Sequence, residues 1–413
     1  MKELLTASIC MFFIISCNNS GNVRSKNNQN NAMTADSTKQ YGYNLNFLRK
    51  HVKVIELKNG KSSVAIVPAW QGRVMTSTSE GDGGFSFGWI NHDLISSEKT
   101  VLHINPFGGE ERIWLGPEGG QYSIFFRKGA EFIYDNWQTP GFLDTLPYEV
   151  TELSGLSVKF SHEAEIVNYS GTEFSLGIER EVTVLSAGEV LKETGINIGD
   201  ANCVAYRSKN VLINKGSEEW KKERGLLSIW MLGMFIPSPA VTVILPFRQG
   251  SEEELGVPVN DNYFGKISGD RLKIAGNNIY FKADGKSRGK IGLSPKRATG
   301  IMGSFDFENN ILTILICKLP EGTPVYVNSA WQIQENPYSG DALNSYNDGP
   351  LEDGSQMGPF YELETSSPAA ALKPGESLAH IQYTMHLTGD IKNLDSISHQ
   401  IFGVSLEEVR AIF

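Results

Sequence analysis

Residues 377–387 read SLAHIQYTMHL. Ala379, Ile381, Tyr383, Met385 and Leu387 alternate with His380, Gln382, Thr384 and His386, the period of two that an extended strand imposes and a helix does not. The alternation predicts a strand with its apolar residues on a core and with His380 and His386 facing solvent. Upstream, HVKVIELKNGKSSVAIVP at 51–68 sets two β-branched runs around Asn59-Gly60, a dipeptide suited to the positive φ angles of a type I′ hairpin turn. Leu156–His162, Thr172–Leu185, Val204–Ile213, Ala240–Phe247, Asn278–Ala283, Ile311–Lys318 and Val325–Glu335 are likewise short, β-prone and bounded by Gly, Pro, Asn or Ser. Helical character is confined to the tail, where Ser405 and Glu408 are spaced as a capping box opening SLEEVRAIF. No repeat of fixed period and no Pro/Gly/Ser linker divides residues 41–413. The pattern predicts an all-β chain, one large antiparallel β-sandwich with a short C-terminal helix, the alternative being a pair of β-domains.

Composition agrees with a folded body. With 20% charged and 40% apolar residues among 413, disorder, collagen and coiled coil are excluded. The net charge of −10 argues against nucleic acid and against an anionic membrane surface, both of which need a basic field. Small molecules or neutral polymers fit better.

The first residues stand apart. Leu4 to Ile15 is a nearly continuous apolar run behind Met1-Lys2, too short for a stable membrane-spanning helix and suited to a signal peptide over residues 1–16. It ends Ile14-Ile15-Ser16-Cys17, which resembles the bacterial lipobox and makes Cys17 the expected lipidation site. An ordinary secretory signal and a weak membrane anchor are the alternatives. Residues 17–40 are polar, lack apolar periodicity and read as a tether. Residues 1–40 hold four basic and two acidic residues, so the body carries 33 against 45, about −12. Attachment then comes from acyl chains, and the expected location is the cell envelope, at the periplasmic face of the outer membrane. Cys203 and Cys317 each lie in an apolar segment and read as two buried free thiols, with a disulfide as the alternative.

Several motifs carry little. Gly84-Phe85-Ser86-Phe87-Gly88 matches G-x-S-x-G, but no amphipathic helix follows and no strand-helix alternation surrounds it. The seven histidines form no metal-ligand motif, and NSYNDGPLED at 344–353 fails the EF-hand spacing. Neither a metal nor a cofactor is expected. By contrast LHINPFGGEERIWLGPEGGQYSIFF at 102–126 gathers His103, Glu111, Arg112, Trp114 and Glu118 among five glycines. An aromatic face beside carboxylate, guanidinium and amide groups suits a sugar, whose C–H face packs on the ring while its hydroxyls are hydrogen-bonded. The alternative is a Gly-rich hairpin with an internal Arg112–carboxylate pair and Trp114 in the core. Near the end, Tyr361-Glu362-Leu363-Glu364 as a strand puts both carboxylates on one face about 7 Å apart. Such a pair can split into acid and base or be a solvated face.

Leu363-Glu364-Thr365, a proline, then Leu372-Lys373-Pro374-Gly375-Glu376 before a terminal strand resembles the end of galactose mutarotases and related aldose epimerases. That resemblance implies a galactose mutarotase-like supersandwich, with Glu364 in the place of the general base that takes the anomeric hydroxyl proton. GRVMTST at 72–78 resembles the early strand of that fold. Together with GGEERIWLGPEGG, GLLSIWMLGMF at 225–235, SYNDGP at 345–350 and YELE…LKPGE, the chain resembles an uncharacterised group of Gram-negative lipoproteins of mutarotase-like fold. One departure stands out: where the family's mid-chain acid histidine would fall, within 225–235, this chain has Ser228, Trp230 and Met231 and no histidine. As an enzyme it would therefore use Glu364 as base and Glu111 or His103 as acid. Arg112, Trp114, Glu118, Trp230, Asn347, Asp348 and Glu362 would position a carbohydrate. The alternatives are a non-catalytic carbohydrate-binding lipoprotein and a partner-docking module.

Overall fold

The strand read from 377–387 lies inside a ten-stranded antiparallel sheet in the computed structural model, which describes residues 37–413 apart from residue 323. In chain order the strands are β1 (Ile55–Asn59), β2 (Ser62–Val67), β3 (Arg73–Thr78), β4 (Arg112–Gly116), β5 (Glu149–Leu153) and β6 (Ser157–Val167). There follow β7 (Glu173–Leu185), β8 (Asn202–Asn214), β9 (Ser228–Phe235), β10 (Val241–Pro246), β11 (Leu272–Ala275) and β12 (Asn278–Lys282). The chain ends its sheets with β13 (Gly289–Leu293), β14 (Ile301–Asp306), β15 (Ile311–Cys317), β16 (Leu343–Asn347), β17 (Tyr361–Ser366) and β18 (Ser377–Thr388). The large sheet runs β11-β12-β10-β14-β15-β18-β8-β7-β6-β5, a second runs β13-β16-β17-β9-β4, and β1-β2-β3 form a third. The large antiparallel β-sandwich expected from the sequence is thus present, with a third sheet beside it.

Two contacts fix which residues of β17 look inward. Tyr361 Oη lies 2.8 Å from Ser304 Oγ of β14, and Thr365 Oγ1 donates to Gln382 Oε1 of β18 at 2.6 Å. Odd-numbered residues of β17 therefore face the ten-stranded sheet, and Glu362 and Glu364 face away from it. Between the sheets, Leu363, Ile291 and Leu343 pack with Val243, Phe281, Met302 and Leu315. Ile113, Leu115 and Met231 share a second cluster with Phe160, Ile178 and Leu212.

The inner side of β18 is the polar one. His380 and His386 are buried, not solvent-facing as the alternation suggested. His380 Nε2 lies 2.7 Å from Thr365 Oγ1, and His386 Nδ1 lies 2.9 Å from Thr313 Oγ1. Partners supplied by both sheets make burial of these imidazoles affordable. The opposite, apolar side, with Met385 and Leu387, is covered by Leu394, Ile397, Phe402, Leu406 and Val409. Those five come from two helices, Ile391–Phe402 and Leu406–Arg410, the second opening with the capping box of Ser405 and Glu408.

Helices also occur outside the tail. Ala187–Thr194 starts at a capping box of Ser186 and Glu189, and Tyr41–His51 buries Tyr41, Leu45 and Leu48. The hairpin at 51–68 forms, yet Asn59 pairs with Ser62, so its loop is Gly60-Lys61 with only Gly60 at positive φ, 64°. A type I′ turn needs two such residues and a II′ turn one. Val325–Glu335 is irregular, with one isolated bridge from Tyr326 to Ser339. Cys203 and Cys317 are both free. They lie opposite Leu387 and Gln382, five residues apart along β18.

Candidate functional site

The face of the five-stranded sheet that looks away from the sandwich carries the candidate chemistry. Leu232 of β9 pairs with Arg112 on one side and Glu364 on the other. At strand spacings of about 4.8 Å their Cα atoms are therefore about 10 Å apart. One row on, Trp230 pairs with Trp114, and their rings meet edge to face at 5.6 Å. In the other direction Glu362 pairs with Tyr346, which pairs with Lys290 of β13. Register thus draws together side chains from all five strands, separated by up to 252 positions in sequence.

Glu364 is fully buried, and its Oε2 accepts from Trp230 Nε1 and Lys290 Nζ, each at 2.8 Å. Its Oε1 is buried without a protein partner. Lys290 Nζ also sits 4.8 Å from the Trp230 ring centre and 5.6 Å from that of Tyr263, so the ammonium is held by a carboxylate and two aromatic faces. Glu362 accepts from Arg112 Nη2 at 2.9 Å. Burial pushes its carboxyl up to about 7, against the pull of Arg112, and the Glu364 charge adds to the rise. The Arg112 guanidinium lies 4.5 Å from the Trp114 ring centre, and its Nε is a second buried atom without a partner.

Aromatic residues wall this face. Trp114 Nε1 donates to Leu143 O at 3.1 Å. Trp137 stacks on Phe125 at 5.6 Å and on Trp331 at 6.0 Å, and its Nε1 is buried. Glu118 is half-buried at the end of β4, and burial raises its carboxyl above the ordinary range while Lys290 and the indoles of Trp331 and Trp137 oppose that rise. On the far side Asp348 accepts from Tyr346 Oη at 2.7 Å and from Gly358 N at 3.0 Å. Among the described residues no three His, Cys, Asp or Glu side chains gather in a way that could hold a metal ion.

A family model described as a family of unknown function, DUF6786, matches residues 39–413. The chain belongs to that family. No curated protein sequence matches the DUF6786 chain. Solved structures similar to it include a protein of Synechocystis, with 12% identity and a TM-score of 0.49 over 82% of this chain and 96% of that one. A galactose mutarotase-like protein from Lactobacillus casei has 12% identity and a TM-score of 0.46, over 81% and 100% of the two chains. A galactose mutarotase related enzyme from Lactobacillus acidophilus has 10% identity and a TM-score of 0.44, over 82% and 98%.

Of the residues singled out in sequence, the DUF6786 chain brings Glu364, Glu362, Arg112, Trp114 and Trp230 onto one face, with Glu118 and Asp348 at its edges. The Arg112–carboxylate pair and the buried Trp114 of the alternative reading are present too, formed within that face and not apart from it. Glu111 is elsewhere. It precedes Arg112 and points into the sandwich, where Oε1 accepts from Arg180 Nη2 at 2.6 Å and Oε2 from Ser208 Oγ and Gln382 Nε2 at 3.0 and 2.8 Å. With each oxygen engaged and the carboxylate fully buried, it cannot act as the acid on the outer face. His103 has Nδ1 2.6 Å from Trp137 O and its ring 4.6 Å from that of Tyr134, so it anchors the segment carrying Trp137. Asn347 accepts from Gly285 N at 2.9 Å and donates to Ser287 O at 2.8 Å, fixing the loop before β13. Ser86 is buried, 2.7 Å from Thr76 Oγ1, and accepts from Asn44 Nδ2 at 2.8 Å. Sequence reasoning missed Lys290, Tyr263, Trp137 and Trp331. Trp331 lies in the irregular segment read as a strand, and an isolated lysine in the strand Gly289–Leu293 gives no signal of its partner.

Proposed function

We propose that this DUF6786 protein binds a carbohydrate on the outer face of its five-stranded sheet and acts at the anomeric centre with Glu364 as base. The observation that carries the reading is the pair of buried polar atoms there without protein partners, the acceptor Glu364 Oε1 and the donor Arg112 Nε. Buried polar groups are nearly always paired, and a sugar hydroxyl, both donor and acceptor, satisfies either kind. The indoles of Trp114 and Trp230 beside them suit the C–H face of a pyranose, and the sequence resemblance to mutarotases puts the base at Glu364.

The test is titration calorimetry and polarimetric mutarotation with α-D-glucose, α-D-galactose and α-D-mannose, on the wild type and Glu364→Gln. Heat of binding with accelerated mutarotation, and a loss of about 10²–10⁴-fold in kcat in the variant, is the expected result. Absence of both binding and acceleration in the wild type refutes it. The missing histidine on β9 favours a second reading, a carbohydrate-binding module without turnover, which predicts binding with no acceleration. We further propose that Cys17 carries lipid and holds the protein in the cell envelope. The apolar run Leu4–Ile15 before Ser16-Cys17 supports this; those positions lie outside the described residues.

A further inference from the structure

Anomerisation needs a second group, because the ring oxygen must gain a proton as the base removes one from the O1 hydroxyl. Glu111 is locked inside the sandwich and His103 is tied to the Trp137 carbonyl. O1 and O5 are bonded to the same carbon, so the donor has to stand beside the base and not across the sheet from it. The Glu362 carboxyl, though pushed up to about 7, is turned to Arg112 at 2.9 Å, and among the described residues no hydrogen bond joins it to Glu364.

Lys290 meets the requirement by direct contact. It shares a row with Tyr346 and Glu362, two strands out from β17, so its side chain leans diagonally across β16 to bring Nζ to 2.8 Å from Glu364 Oε2. The ammonium is fixed there from two further sides, 4.8 Å from the ring centre of Trp230 and 5.6 Å from that of Tyr263. Tyr263 is itself pinned, its Oη donating to Asp341 Oδ2 at 2.5 Å and accepting from Asn344 Nδ2 at 2.9 Å. An ammonium has three N–H donors, and among the described residues Glu364 alone takes a hydrogen bond from this one. Two donors are left, on a side chain that is 13% exposed beside a base that is 0% exposed. On the base, Oε1 is the oxygen without a partner. A pyranose with O1 on Glu364 Oε1 and O5 on Lys290 Nζ closes a ring of contacts in which the ion pair lies opposite C1.

We propose that Lys290 is the catalytic acid that protonates the sugar ring oxygen while Glu364 deprotonates the O1 hydroxyl. This rests on the anomeric reading above. In the forward step Glu364 Oε1 takes the O1 proton, the O1–H pair becomes the second bond of the C1=O1 carbonyl, and the C1–O5 bond breaks. The pair released on O5 takes a proton from the Lys290 ammonium. One proton leaves the sugar and one enters, giving the open-chain aldehyde, a Lys290 amine and a Glu364 carboxylic acid. Both residues lose their charge in the same step, so neither is left as a lone buried ion. Rotation about C1–C2 presents the other face of the carbonyl, and the reverse transfers restore the pair.

An acid and a mere counter-ion differ in the kcat–pH profile. Without a cation beside it a carboxylate titrates at higher pH, so loss of a counter-ion moves the acidic limb and spares the plateau, where the base is ionised in every variant. Loss of the acid lowers the plateau itself. Lys290→Met removes charge and proton together, whereas Lys290→Arg keeps the charge and the donors on a group that gives up no proton. With saturating α-D-glucose, α-D-galactose and α-D-mannose, the expected polarimetric plateau is lower by about 10²–10⁴-fold in both variants. In Lys290→Ala, added methylammonium is expected to restore part of the rate, and tetramethylammonium, a cation with no proton to give, none of it. Circular dichroism checks the folding of all three, and any one that folds decides. A wild-type plateau in folded Lys290→Met or Lys290→Arg, or equal rescue of Lys290→Ala by the two cations, overturns the role of Lys290 and leaves the base at Glu364 standing. A wild type that accelerates none of the three sugars overturns both.

Discussion

Glu111 and Arg180 form an ion pair with both side chains fully buried and 2.6 Å between Oε1 and Nη2. Replacing Glu111 by Ala leaves the guanidinium bonded to Gly72 O and Asn210 Oδ1 but without a counter-charge. It also orphans the donors of Ser208 and Gln382. Breaking a buried pair by removing one partner costs about 3–5 kcal/mol, and the two stranded donors place this case toward the upper end. Against a total of roughly 5–15 kcal/mol for a native domain, Glu111→Ala lowers the urea midpoint steeply. The double variant Glu111→Leu with Arg180→Met removes both charges and recovers the part of the loss that comes from the lone guanidinium, while the donors of Ser208 and Gln382 stay unpaired, so it is more stable than Glu111→Ala and less stable than wild type. Urea unfolding followed by tryptophan fluorescence measures both, with calorimetric sugar binding run in parallel. A Glu111→Ala protein within 1 kcal/mol of wild type that has lost sugar binding would falsify the assignment, because the carboxylate would then serve a ligand and not the sandwich.

Two further outcomes are expected. Burial lowers the His380 imidazole from 6.5 to about 4, so below pH 6.5 the unfolded chain binds a proton that the folded chain refuses. Its contribution is complete above pH 6.5 and is lost as the pH falls toward 4; Glu362, pushed up to about 7, acts in the opposite sense, its contribution fading as the pH rises from 4.5 to 7. His380→Gln therefore flattens the acid limb of the stability profile between pH 6.5 and 4, and an unchanged slope in urea titrations counts against a buried neutral imidazole. Separately, Cys17→Ser abolishes incorporation of labelled palmitate and releases the protein from washed envelopes in a bacterial host, whereas labelling that persists in the variant sinks the lipid anchor.

How far the sequence reached depended on whether a feature is local. The alternation of 377–387 is local, and it specified the strand to within one residue. Which of its faces is inner is not local: His380 is buried because Thr365 from the other sheet meets it, while Met385 and Leu387 are buried by a helix that follows. An amphipathic strand signals two different faces; here the polar one is buried, and solvent reaches the apolar one at Ala379 and, in part, at Ile381 and Tyr383. The helix at 187–194 did carry a readable start in Ser186 and Glu189. Tyr41–His51 carried none, since Gln40 makes no side-chain cap and the helix is held by burying Tyr41, Leu45 and Leu48.

The same division governs the site. That Glu362 and Glu364 share a face follows from the period of a strand alone, and so does the separation of Arg112 from Glu111 once β4 is granted. That Arg112 and Glu364 flank one leucine follows only from the order β17-β9-β4 and its register. Lys290 enters two strands beyond β17, on β13, through β16. Each added strand multiplies the registers a sequence reader must choose among, and a one-residue slip turns every side chain to the other face. Glu111 was a candidate acid on its chemistry alone; in a strand its adjacency to Arg112 is what sends the two side chains in opposite directions.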